Sequence, residues 1–208
     1  MSAPGRPQAL IPEPHGGEGT PVSAPGRPQA LIPEPLGGEG TPVSMATLAE
    51  RPEGFRRVAG VLAERGHPEK PVWLQVTART SQEAADALGV SVGQIAKSVI
   101  FRRQDDDSAV LVVASGDRRV DERRVAALTG VLARADAGFV KMRTGFSIGG
   151  VAPLAHLQPV VTLIDRELFR FDEIWAAAGH PNGVFRTSPD QLVALTGAPV
   201  VDVAQVVR

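Results

Sequence analysis

The sequence predicts an α+β fold in which a mixed β-sheet is flanked by helices, and three observations carry that expectation. From Leu48 onward, stretches with apolar residues at helical spacing alternate with short runs of β-branched residues. Two such runs, KSVIFRR and AVLVVAS, bracket the acidic turn QDDDS as a hairpin. Two others, EIWAAAG and VFRTS, bracket His180-Pro181-Asn182-Gly183, whose Asn-Gly step favours positive backbone angles. Hairpins interspersed with amphipathic helices point to one domain with helices packed on a mixed sheet.

The elements follow in order. Phe55, Val58, Val61 and Leu62 recur at helical spacing among Arg and Glu between Leu48 and Gly66, which predicts an amphipathic helix stopped by glycine. VWLQV at 72–76 is a short strand. Thr80 or Ser81 then offers a capping oxygen for a helix through Leu88, and Ser91 does the same for a helical turn ending near Lys97. Lys97 heads the first arm of the hairpin. A helix capped by Asp121 runs to Leu128, and a shorter one spans Gly138 to Met142. TGFSIGG at 144–150 reads as a loop, and PVVTLI at 159–164 as a buried strand. Ser188-Pro189 opens the last helix, through Leu195, with proline where a missing N–H is harmless.

Residues 1–44 have another composition. They hold ten of the 18 Pro and eight of the 22 Gly, and residues 2–22 recur as 23–43 with His15 replaced by Leu36. Copies this similar, with Ala-Leu-Ile as their one apolar cluster, cannot build a core, so the segment is expected to be a disordered extension. Met45 has the position of a natural start, and residues 45–208 form the expected domain. Without the extension the chain carries 20 basic against 19 acidic side chains. Such neutrality excludes broad binding along duplex DNA. The absence of Cys excludes disulfides, thiolate nucleophiles and Cys-based metal sites. No apolar run approaches the roughly 20 residues of a membrane span, and no signal-like segment opens the chain, which leaves a cytoplasmic protein with no membrane partner.

Three local signals bear on chemistry. The chain has 22 basic side chains but Lys only at 70, 97 and 141, so a lysine retained at the head of an apolar strand, Lys97, stands out as a compact donor for a phosphate or carbonyl. The plain alternative is a strand-edge lysine reaching solvent. In Thr144-Gly145-Phe146-Ser147-Ile148-Gly149-Gly150, the glycines let backbone approach a ligand and aim N–H groups at a developing oxyanion. The loop lacks the Gly-Lys-Ser/Thr of a nucleotide phosphate loop. His156 and His180 are possible proton carriers, but no histidine pair has metal-ligand spacing and no carboxylates cluster with them, so neither metal nor cofactor is expected.

The segments Leu88 to Phe101, Thr144 to His156, and Asp165 onward to Gly-His-Pro-Asn-Gly resemble, in order, the YbaK/EbsC family of aminoacyl-tRNA deacylases, relatives of the editing domain of bacterial prolyl-tRNA synthetase. The resemblance implies the YbaK/prolyl-tRNA synthetase-associated domain fold and a trans-acting enzyme that hydrolyses the ester of a mischarged tRNA. The acceptor end of that tRNA would be the ligand, with an aminoacyl-tRNA synthetase as a further partner. Lys97 matches the family's required lysine and Ser98 the small hydroxyl residue beside it. Thr144, Gly145, Gly149, Gly150 and Pro153 match the pocket loop, and Ser147 and His180 complete the expected substrate contacts. Two departures matter. Ala155 stands where the family usually has glycine, and Ala178 and Phe185 stand where cysteine-specific members carry Ser and Asp, so cysteine specificity does not transfer. A noncatalytic module holding an amino acid or a tRNA end is the competing expectation, and a helper role for another protein a third.

Overall fold

Helix starts follow local chemistry closely. The computed structural model describes residues 48–205, and the tandem repeat, Met45 and the expected domain boundary lie outside them. Helix α1 (Glu53–Glu64) begins after Pro52, later than the Leu48 start expected, because proline is tolerated at a helix entrance and not within it. Strand β1 is limited to Val72–Trp73. Beyond it the chain wraps a distant turn, with the Leu74 N–H donating to the Asn182 carbonyl at 2.7 Å and the Ala78 N–H to that of Pro181 at 3.1 Å. In α2 (Ser81–Leu88) the Thr80 hydroxyl accepts from the Glu83 N–H while the Glu83 carboxylate accepts from the Thr80 N–H, a capping box.

A single 3-10 turn, Val92–Gln94, leads into β2 (Ile95–Arg103), which starts two residues before the expected arm and so carries Lys97 as its third residue instead of its first. β2 pairs antiparallel with β3 (Ala109–Ser115), with Lys97 opposite Ala114. Next come α3 (Glu122–Thr129), capped by Asp121, then β4 (Leu132–Arg134) and α4 (Ala137–Thr144). α4 is longer than expected, which places Thr144 at the end of a helix and not in the loop. The chain closes with β5 (Val160–Asp165), a 3-10 turn at Arg166–Arg170, β6 (Ile174–Ala177), β7 (Gly183–Thr187), α5 (Pro189–Thr196) and β8 (Val200–Val201).

The eight strands among the described residues form one mixed sheet in the order β1-β7-β6-β2-β3-β5-β8, with β4 added on β2. β2–β3 and β6–β7 are the two antiparallel hairpins, while β2–β6, β3–β5 and β5–β8 are parallel. Central β3 is buried throughout, which explains its unbroken apolar sequence. Leu111 and Val113 join the main core with Phe55, Val58 and Leu62 of α1, Val140 of α4, and Leu192 and Leu195 of α5. Val110, Val112 and Ala114 face the other way, against Val125 of α3. A third cluster sets Ala84 and Ala85 of α2 on Ile95 and Val184. Helices thus cover both faces of the sheet.

Candidate active site

The sheet forks beside β2. On that edge β2 pairs with β6 only at Ile95↔Trp175 and Ala96↔Ala176, and with β4 only from Phe101 onward. Where the strands part lies a cavity of about 300 Å³ whose wall includes Lys97, Ser98, Ala177 and Gly149. Its remaining wall is mostly small and apolar, including Ala78, Ala84, Ala96 and Ala176. Among the described residues Lys97 and Arg79 are its charged side chains, and none that lines it carries a carboxylate or imidazole.

Side-chain alternation directs Lys97. Ala96 and Ile100 pack on the main core, whereas Ile95 lies in the α2 cluster and Val99 and Phe101 in the α3 cluster, so Lys97 projects between those two smaller clusters. There its ammonium donates to the carbonyl of Gly116 at 3.1 Å and to that of Arg118. The loop supplying these carbonyls is itself held. The Ser115 hydroxyl lies 2.6 Å from the Gly93 carbonyl and 2.7 Å from the Asp117 carboxylate, which accepts from Arg170 at 2.7 Å. Gly116 packs so tightly on the Val92 carbonyl that a Cβ would lie 2.2 Å from it. Burial lowers the Lys97 pKa from the ordinary lysine value, partly opposed by the nearby Asp117 carboxylate and helped by Arg119. With two of its three N–H groups on loop carbonyls, the ammonium has one left for a ligand.

The glycine-rich loop is a β-turn in which the Gly150 N–H donates to the Ser147 carbonyl at 3.0 Å. Gly149 takes φ +89°, the position of that turn that favours glycine. The Gly150 amide is therefore committed within the loop, whereas those of Gly149, Ser147 and Ile148 have no intramolecular acceptor among the described residues, and of these three Gly149 and Ile148 belong to the cavity wall. Gly150 presses on the backbone of His180 and Pro181. The loop thereby leans on the β6–β7 turn.

Of the residues singled out in the sequence, Lys97, Ser98 and Gly149 meet at the cavity. The Ser98 hydroxyl is buried without a hydrogen-bond partner among the described residues. Buried Thr144 ties the end of α4, donating to the Val140 carbonyl at 2.7 Å and accepting from the Phe146 N–H at 3.0 Å. Gly145 caps that helix at φ +77°. Ser147 is exposed, Gly150 and Pro153 are buried, and none of the three is part of the cavity wall. His180 shapes the turn: Nδ1 accepts from the Asn182 N–H at 3.1 Å and the ring stacks on Trp73 with centroids 4.7 Å apart. His156 bonds through Nε2 to the Ala152 carbonyl at 2.8 Å. Arg79, Ile148 and Trp175, also in the wall, were not foreseen; in a chain with 22 basic side chains one further Arg gives no signal.

Fold and site together define a mixed-sheet domain with a small, cationic, carboxylate-free cleft at a strand fork. Residues 76–195 match the family model of the aminoacyl-tRNA editing domain, and the chain belongs to that family. The uncharacterized protein YwhH of Bacillus subtilis (strain 168) is 33% identical over 119 residues, which is 57% of this chain and 75% of YwhH. Proline–tRNA ligase of Thermoanaerobacter sp. (strain X514) is 30% identical over 94 residues, 43% of this chain but 16% of the ligase. The crystal structure of a candidate trans-editing enzyme for prolyl-tRNA synthetase superposes with a TM-score of 0.70 at 40% identity, covering 75% of this chain and 99% of that one. A hypothetical protein of known structure superposes with a TM-score of 0.66 at 34% identity, covering 72% and 99%.

Proposed function

We propose that this protein is a trans-acting deacylase that hydrolyses the ester linking a wrong amino acid to the acceptor end of a tRNA in the cytoplasm, alongside the aminoacyl-tRNA synthetase whose errors it removes. The observation that carries the reading is the Lys97 ammonium, anchored by two loop carbonyls at a cavity with no carboxylate. Its remaining N–H and the Gly149 amide are the donors for the ester carbonyl oxygen. Negative charge that develops there in the tetrahedral intermediate then meets groups already in place. A water, or a hydroxyl of the terminal ribose acting on it, attacks the carbonyl carbon. The bond to the ribose oxygen breaks, that oxygen takes a proton, and the amino acid leaves from an intact tRNA. Because the ester is already activated, binding and orientation can supply much of the rate without a covalent nucleophile.

The cargo we propose is a small, uncharged amino acid, which suits walls built of Ala78, Ala84, Ala96, Ala176 and Ala177. Ala178 and Phe185 are apolar and fully buried, so the positions that mark cysteine-specific relatives hold no polar side chain here. One observation favours the noncatalytic alternative: among the described residues no carboxylate or imidazole lines the cavity to serve as a general base. A panel of mischarged tRNAs assayed for amino-acid release separates the two. The deacylase reading expects enzyme-dependent release of small amino acids. Tight binding of aminoacyl-tRNA with release at the uncatalysed rate would establish the binding module instead.

A further inference from the structure

Lys97 and Arg79 are the two cations of the cavity wall, and they stand in different circumstances. Lys97 is half-buried, and its ammonium is largely consumed by the carbonyls of Gly116 and Arg118. Arg79 is exposed, and its guanidinium makes no hydrogen bond or ion pair within the described residues. Nine of the fifteen other arginines among the described residues are spent on carboxylates, Arg102, Arg103, Arg118, Arg143, Arg170 and Arg186 among them. The Arg79 backbone, by contrast, is fixed. Its N–H donates to the Glu83 carboxylate at 2.7 Å, next to the capping box of α2, and its Cα lies 3.6 Å from where a Cβ on Gly149 would be. Arg79 is therefore fixed by its backbone beside the glycine-rich loop, with its side chain in the cavity wall. The neighbouring Glu83 carboxylate is itself committed to the Arg79 and Thr80 N–H groups, which lower its pKa with help from the Arg79 charge.

On the deacylase reading, the ligand brings two separate acceptors: the ester carbonyl and the phosphodiester that precedes the terminal nucleoside. We infer that the two cations divide them, with Lys97 taking the carbonyl and Arg79 taking the 5′-phosphate of the terminal adenosine. The single free N–H of Lys97 fits one carbonyl oxygen, whereas the planar fork of Arg79 fits two phosphate oxygens at once. Arg79 is on this account a substrate-binding residue for the phosphate, and recognition of tRNA over a bare aminoacyl ester depends on it.

The test uses 3′-deoxy-3′-alanylamino-adenosine, a non-hydrolysable mimic, with and without a 5′-phosphate, titrated against the full chain and its Arg79→Ala and Arg79→Lys variants. Since the Arg79 side chain holds nothing within the domain, these variants retain the fold, which their melting curves verify. The wild type gains roughly tenfold in affinity from the phosphate, as expected of a charge-assisted pair, and Arg79→Ala gains nothing. Arg79→Lys keeps only part of the gain. A phosphate gain in Arg79→Ala equal to that of the wild type overturns the assignment, as does a wild type indifferent to the phosphate. Hydrolysis of alanyl-tRNA and of alanyl-adenosine is measured in parallel. Arg79→Ala is expected to raise KM on the tRNA by roughly tenfold more than on the phosphate-free ester, whereas an equal loss on both overturns the division. Failure of the wild type to cleave either ester would refute the deacylase reading while the binding titrations still decide the role of Arg79.

Discussion

Replacing Gly150 by Ala tests whether the glycine-rich loop is positioned by the turn it leans on. A Cβ at Gly150 would lie 2.6 Å from the His180 carbonyl carbon, 2.7 Å from its Cα and 2.8 Å from the Pro181 nitrogen. All three are backbone atoms, and ordinary contact begins at 3.4 Å, so loop and turn must separate by more than half an ångström. The turn cannot easily yield, because the Asn182 side chain donates to the Leu74 carbonyl at 3.0 Å and the Gly183 N–H to that of His180 at 2.8 Å. Overpacking of this kind costs about 1–3 kcal/mol, which in a domain of this size lowers Tm by roughly 2–12 °C. Gly149→Ala is the control. There a Cβ meets nothing nearer than 3.6 Å, and only the positive φ is penalised, by about 1–2 kcal/mol less the 0.4–1 kcal/mol gained from a stiffer unfolded chain. Thermal melts and deacylation rates of the two variants form the assay. Gly150→Ala is expected to lose both stability and activity, and Gly149→Ala chiefly activity. A Gly150→Ala protein that melts and turns over like the wild type would refute the proposed support of the loop.

Three further outcomes are expected. Ala155→Gly should leave Tm unchanged or raise it by a few degrees, because Ala155 sits at φ +61° and a glycine there escapes a left-handed penalty of about 1–2 kcal/mol; a loss of more than about 2 kcal/mol in denaturant unfolding would contradict that. Burial lowers the pKa of His156, assisted by Arg57 and opposed by the bond to the Ala152 carbonyl, and burial lowers that of His180 as well. The unfolded chain therefore takes up protons near 6.5 that the fold refuses, so stability is complete above that pH and declines as pH falls below it. His156→Gln should flatten the decline in melts recorded across that window. For Lys97 the sign is opposite in its effect on rate: the protonated donor is lost as pH rises, and because its pKa lies below 10.5, background-corrected deacylation should fall at a pH below the usual lysine range.

The fold was legible wherever one local rule dominated. Thr80 or Ser81, Asp121, and Ser188 with Pro189 mark three helix starts through capping alone, and the structure settles the first on Thr80. The unbroken run from Ala109 to Ala114 marks a strand buried on both faces. What escaped was set by tertiary pairing. β4 and β8 have three and two residues, too short for periodicity to register, and exist because β2 and β5 offer them an edge. The reading of VWLQV as a whole strand failed at Leu74, where hydrogen bonds to the distant turn at Asn182 replace the ladder. At the site, the scarcity of lysine singled out Lys97, but nothing local could show that Gly116 and Arg118 would hold its ammonium. The glycine pattern likewise gave no means of telling the committed amide of Gly150 from that of Gly149.

In the proposed reaction the Lys97 ammonium stabilises charge on the ester oxygen during hydrolysis. The most direct test of that role is the single-turnover rate of deacylation by Lys97→Ala at saturating enzyme, against wild type, on a tRNA mischarged with a small amino acid. Loss of one preplaced donor should slow the chemical step by roughly 10²–10³-fold, or about 2.7–4 kcal/mol of barrier, in a protein whose circular dichroism matches the wild type. A folded Lys97→Ala enzyme that cleaves at the wild-type rate would contradict the account.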